Sequence, residues 1–146
     1  MIDLLIERLF AVADIPGIIE NAHLNRGLGF SFLRHIERCR SMLYIIDLSN
    51  PQDPSRQLRV LHQELEFYQP GLSQRPHVVV GNKIDLPGTE EKAERLRKFL
   101  RENSKDFPAS SVLTISAKHR TNVDKLSQII REMYNRSQIE KNTLTA

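Results

Sequence analysis

Cysteine occurs once, at Cys39, among the 146 residues of this chain. That excludes an internal disulfide framework, leaves a cysteine-based zinc site without partners and points to a reducing compartment. The five histidines are scattered and form no H-x-x-x-H pair, so a histidine metal site is not expected. No apolar run approaches the roughly 18 residues of a membrane-spanning helix, and a soluble chain is expected. A charge excess is scarce too: Lys plus Arg number 21 against 18 Asp plus Glu, a net charge of +3. So mild an excess permits an RNA or other anionic partner without arguing for one. The leading "MIDLLIERLF" holds Asp3 and Glu7 against Arg8 alone, which fits neither a secretory signal nor an Arg-rich, acid-poor transit peptide. Without a signal peptide, the sequon-like "NRS" at Asn135 reads as a solvated helix end.

What is present is alternation. Apolar runs at 9–15 ("LFAVADI"), 42–47, 77–83 and 111–116 are separated by amphipathic stretches at about 29–39, 55–68, 89–103 and 122–136. This is the pattern of strands and crossover helices in a mostly parallel sheet, an α/β fold read as βαβαβαβα. Runs such as "VVV" and "LYII" suit strands buried on both faces. Helix starts are legible at Asp53 with Pro54, at Thr89 with Lys92 and at Asn122. Val123, Leu126, Ile129, Ile130 and Met133 recur at helical spacing and make one core-facing stripe. The expected division is an atypical leader at 1–10, one domain at 11–136 and a flexible tail at 137–146.

In such sheets ligands sit beyond the carboxyl ends of the strands. The informative residues are therefore Asp14 with Gly17, Asp47 with Ser49, Asn82 with Lys83 and Asp85, and Ser116 with Ala117 and Lys118. "GNKID" (81–85) followed by "ISAK" (115–118) is the most specific signal. Guanine presents an N1 proton and a 2-amino group that one carboxylate can accept together; Asp85, just beyond a strand end, is placed to do so, and adenine offers no such donor pair. Asn82 can serve the N7 side of the base and neighbouring loops, while Lys83 can lay its methylene stem along the ring. The Ala117 N–H can donate to O6, with Ser116 bracing Asp85 and Lys118 covering the other ring face.

"NKID", "SAK" and the upstream "DIPG" resemble three guanine-nucleotide motifs of P-loop GTPases, and "DIPGIIENAHLNRGLGFSFLRHIERCR" resembles the Obg family's signature. "GLSQRPHVVVGNKIDLP" extends the resemblance toward mitochondrial ribosome-associated Obg GTPases, and the likeness covers about residues 11–136. It implies a partial Ras-like fold, GTP or GDP with magnesium as ligands, a role in assembling the large ribosomal subunit, contact with its ribosomal RNA and a mitochondrial location. By position it implies that Asp14 holds magnesium through a water, that the Gly17 N–H faces the γ-phosphate, and that residues 17–29 form a switch. Asn82, Lys83, Asp85, Ser116, Ala117 and Lys118 would select guanine. Many GTPases place a water-orienting Gln after the switch glycine; here Ile18 stands there, as in the Obg pattern, and no general base is identified.

One part of the family pattern is missing. The six glycines, at 17, 27, 29, 71, 81 and 88, include none that completes G-x-x-x-x-G-K-[ST], the loop whose N–H groups, lysine and hydroxyl hold phosphates and magnesium. No Thr lies in residues 1–13 to close over magnesium, and the glycine-rich N-terminal domain of Obg proteins is absent. The chain is therefore expected to bind GTP far more weakly than a whole Obg G domain, without useful hydrolysis. In the Ras-like sheet the P-loop strand lies between the strands ending at Asp14 and Asp47. Without it these two pair with each other, or "IDLLIERLF" fills the gap, or the fragment is poorly stable. Residues 2, 5, 6, 9 and 10 fit a helical stripe as well as a strand.

Arg26, Arg34, His35, Arg38 and Arg40 make either a solvated basic helix face or an RNA contact, and Phe30, Phe32 and Leu33 read as core. Cys39 reads as a structural thiol. Three functions stay open: the guanine-recognition part of an Obg-type GTPase, a non-catalytic ribosome-, RNA- or protein-binding module, and a partial gene product.

Overall fold

The computed structural model describes residues 39–107 and 111–144, together with Val12. The expected strand at 9–15 and helix at 29–39 fall outside the described residues but for Val12 and Cys39. Along the chain run β1 (Met42–Asp47), α1 (Pro54–Tyr68), a 3-10 turn (Leu72–Gln74), β2 (His77–Asn82), α2 (Thr89–Glu102), β3 (Val112–Thr114) and α3 (Val123–Leu144). The three strands form one parallel sheet in the order β1-β2-β3, with Asp47 opposite Asn82 and Gly81 opposite Thr114. A parallel sheet flanked by helices is the partial Ras-like arrangement that the motifs imply. Among the described residues no helix is long and apolar enough to cross a membrane.

Strand pleating sorts the side chains. Met42, Tyr44 and Ile46 of β1 are buried, and with Val79 of β2 they pack on Leu58 and Leu65 of α1 and on Leu96, Phe99 and Leu100 of α2. The second face is less evenly covered than runs of apolar residues predict. Val80 on the central strand is fully buried, whereas its register partner Ile45 on β1 is 54% exposed.

Helix starts follow local chemistry. Asp53 caps α1, its carboxylate accepting from the Ser55 N–H at 2.9 Å, and Pro54 takes the first helical turn, where a missing N–H costs nothing. Thr89 differs from expectation. The cap of α2 is Gly88, left-handed at φ 75°, and Thr89 lies inside the helix, its hydroxyl donating back to the carbonyls of Ile84 and Leu86. Its hydroxyl thus ties the incoming loop to the helix instead of capping helix amides, and the residue is buried. Glu90 and Glu91 in the first turn and Arg101 in the last complement the helix dipole. α3 runs on to Leu144, past residue 136 and into the stretch expected as a tail. "SQIEKNTL" contains no Gly or Pro, so nothing in it stops the helix.

Candidate functional site

The parallel register brings the carboxyl ends of the three strands to one edge of the sheet. From there extend the segments 47–53, 83–88 and 115–122, and hydrogen bonds stitch them together. Leu48 N donates to Asn82 O at 3.1 Å, Ile115 N to Gly81 O at 2.8 Å, and Ile84 N to Ile115 O at 3.1 Å. Gly81 is needed for this closeness: a Cβ there would stand 2.9 Å from Leu48 Cδ1.

Asn82 works as a clamp. Its Oδ1 accepts from Lys83 N at 2.8 Å and from Ala117 N at 3.1 Å, joining the loop after β2 to the loop after β3. The Ala117 N–H, expected from the sequence to donate to a base, is already engaged by Asn82. Lys83 follows in a left-handed backbone, φ 69°. Such a conformation costs a non-glycine residue on the order of 1–3 kcal/mol and persists where surroundings impose it, often at a ligand site. The Lys83 ammonium lies 2.6 Å from Asp47 Oδ2 and 3.2 Å from Ser49 Oγ.

Asp85 stands beside the third loop. A hydrogen bond from the Ser116 hydroxyl is the main cause holding its carboxyl below the usual carboxylate range, with its own N–H and the charges of His119 and Lys118 assisting. The group is therefore anionic at neutral pH and offers acceptors only. Ser116 is fully buried; its Oγ also accepts from His119 N at 3.1 Å, and its backbone pairs with Thr121 in an antiparallel bridge. Arg120 and Asn122 turn the chain with positive φ, and Asn122 Nδ2 donates to Thr114 O at 2.9 Å.

Six sequence-predicted residues, Asn82, Lys83, Asp85, Ser116, Ala117 and Lys118, thus meet at one edge. Asp14, Gly17, Ile18, the 17–29 segment and the basic residues from Arg26 to Arg38 lie outside the described residues. Two participants are new in kind. Asp47 is expected at a strand end but without a role, and here it engages Lys83. His119, whose Nε2 lies 3.6 Å from Asp85 Oδ2, carries no expectation; its place directly after "SAK" is the only signal that marks it.

The donor set can be tested against the implied ligands. A buried hydroxyl that fixes an anionic carboxylate at a strand end suits a base edge bearing two adjacent donors, as guanine does. Among the described residues no group of three His, Cys, Asp or Glu side chains is placed to hold a metal ion.

A family model described as "50S ribosome-binding GTPase" matches residues 2–83. The chain is 48% identical over 124 residues to the mitochondrial ribosome-associated GTPase 2 of Homo sapiens, covering 85% of this chain and 28% of that protein. It is 46% identical over 128 residues to the GTPase Obg of Roseiflexus castenholzii, covering 86% of this chain and 28% of that protein. It is also 48% identical over 108 residues to a probable GTP-binding protein OBGM, mitochondrial, of Arabidopsis thaliana, covering 70% of this chain and 22% of that one. The chain therefore spans under a third of the length of these relatives.

Proposed function

Because this chain belongs to the family of 50S ribosome-binding GTPases, with the Obg proteins among its relatives, we propose that its strand-end loops form the guanine-reading side of a GTP/GDP site. The observation that carries this reading is the Asn82 clamp, which joins Lys83 N and Ala117 N and so brings the loop of Asp85 to that of Ser116 and Lys118. Asp85 accepts from the guanine N1 proton and 2-amino group. The Lys83 stem covers one ring face and Lys118 the other. O6 takes the Ala117 N–H, sharing it with Asn82, which also serves the N7 side.

Magnesium, when bound with the nucleotide, neutralises phosphate charge; Asp14 would hold it through a water, and the Gly17 N–H would meet the γ-phosphate. Ile18 has no group to orient a water. The 146 residues contain no G-x-x-x-x-G-K-[ST] run, and phosphate affinity comes mainly from that loop, its lysine and magnesium. We therefore expect this polypeptide to discriminate bases while holding triphosphate weakly and turning it over negligibly. Titrating the chain with guanosine and with adenosine by NMR tests the first part: guanosine should shift the amides of residues 82–85 and 116–118, and equal responses to both nucleosides would end the reading. Micromolar GTP affinity with turnover would end the second.

A second reading is a ribosome- or RNA-binding module. The relatives' names link them to mitochondria and ribosomes. By that likeness we propose a mitochondrial location, a role in large-subunit assembly and RNA contact through Arg26, Arg34 and Arg38. A salt-dependent RNA pull-down that Arg34→Glu and Arg38→Glu leave unchanged would rule out that contact.

A further inference from the structure

Asp47 and Ser49 do not belong to the base-contacting set, yet they organise one of its members. Lys83 Nζ lies 2.6 Å from Asp47 Oδ2 and 3.2 Å from Ser49 Oγ. The other carboxylate oxygen, Oδ1, accepts from Ser49 N at 2.8 Å and from Ser49 Oγ at 2.6 Å, so the carboxylate is oriented by its own loop. That loop is fixed in turn: Gln57 Nε2, from α1, donates to Asp47 O at 3.1 Å, and Leu48 N donates to Asn82 O at 3.1 Å. Burial raises the Asp47 carboxyl, but hydrogen bonds from Lys83 and Ser49 outweigh it and hold the group below its ordinary value.

Stability does not explain this arrangement. The Lys83 and Asp47 side chains are 46% and 38% exposed, and ion pairs so open to water contribute little to folding. Meanwhile Lys83 keeps a left-handed backbone at φ 69°, which favours glycine or asparagine. A lysine held there against its backbone preference, with its ammonium tied down, has its stem directed by both ends.

We infer that Asp47, oriented by Ser49, is a positioning residue for base recognition: it anchors the Lys83 ammonium so that the methylene stem lies ready across the purine face. This rests on the guanine reading proposed above. A free lysine side chain has many rotamers, and anchoring its tip before the base arrives removes part of the ordering cost of docking. The same anchor commits the ammonium to Asp47, leaving phosphate charge to other groups.

The test uses the whole chain with guanosine as probe, followed by NMR. Asp47→Asn should weaken guanosine binding roughly 3- to 10-fold, the size expected when one long side chain must be ordered on binding, with the urea unfolding midpoint unchanged. Ser49→Ala, which keeps both charges, should weaken it less and in the same direction, and it carries the test if Asp47→Asn fails to fold. In a Lys83→Met background Asp47→Asn should add nothing; an equal further loss, or unchanged affinity in Asp47→Asn alone, overturns the inference. A ligand-free measurement separates this from failure of the base site. Amide exchange at Ile84 and Asp85 should be faster in Asp47→Asn than in the wild type. If the wild type does not prefer guanosine to adenosine, the base-site reading fails and exchange alone decides the anchor: faster exchange sustains it, unchanged exchange overturns it.

Discussion

The two ends of the sheet are built on opposite terms. At the amino ends of the strands, Tyr44, Phe99 and Phe107 are buried in a packed cluster with His62 and His77, whose rings lie 4.8 and 6.2 Å from that of Phe107. Three buried polar atoms there, Tyr44 Oη, His62 Nε2 and Gln69 Oε1, are without partners, while Glu66 accepts from Gly71 N and Ser73 N at the margin of the cluster. At the carboxyl ends the segments are exposed and turn through positive φ at Lys83, Arg120 and Asn122, yet their polar groups are bonded from one segment to the next. One end gains stability from excluded water; the other gains shape from hydrogen bonds. Changes at the first should be read in unfolding and changes at the second in binding.

That separation can be broken in several ways. The largest effect should come from Leu58→Ala. Leu58 is fully buried between α1 and the sheet, and truncation should cost roughly 2–5 kcal/mol in urea unfolding; a cost within error would mean that α1 does not carry the core. Next is Asp85→Asn, which replaces an anionic acceptor by a neutral amide. Charged hydrogen bonds are worth about 1.5–3 kcal/mol, so guanosine binding should fall about 10- to 100-fold while the unfolding midpoint stays put. A midpoint that drops with it would show that Asp85 supports the fold and erase the contrast. Asp53→Ala removes the α1 cap and should cost about 1 kcal/mol of stability without altering base preference; thermal unfolding alongside the nucleoside titration checks both.

The smallest effect is acid sensitivity of the amino-end cluster. Burial lowers the pKa of both His62 and His77 from 6.5, so the unfolded chain binds protons before the folded one does. Stability is then full above 6.5 and is lost as the pH falls from there toward the lower folded values. Urea midpoints at about pH 7.5 and about pH 5.5 should differ, and the difference should shrink in His62→Gln/His77→Gln. An undiminished difference would overturn this assignment, because carboxylates such as Asp53 and Glu66, whose values are lowered from 3.8 and 4.5, lose their contribution only at pH below those values.

Much of the strand and helix order was legible, because it rests on local pattern. "MLYIID" and "HVVVGN" read as strands from their apolar runs, and Asp53-Pro54 announces α1 by capping chemistry that needs no distant partner. The grouping of these residues at one edge is legible for a different reason: "NKID" and "SAK" stand at strand ends, which a parallel sheet brings together. What could not be read depends on partners far along the chain. Lys83 and Asp47 are separated by 36 positions, and only the β1–β2 register makes them neighbours. Thr89 misleads as a cap because its hydroxyl finds the carbonyls of Ile84 and Leu86 instead, a choice set by the path of the preceding loop. The end of α3 at Leu144 is not legible, because the absence of a stop signal reads equally as coil or as continuing helix.

The backbone at Lys83 has a consequence for how the protein responds to selection. Glycine or asparagine would occupy its left-handed angle with less strain, so a screen scored only on thermal stability should return Lys83→Gly and Lys83→Asn among its gains. Each of those variants discards the ammonium that reaches Asp47. On the guanine reading proposed above, stabilised versions of this chain should therefore drift toward weaker base binding, and retention of a lysine at this angle becomes a marker that binding, not folding, is under selection.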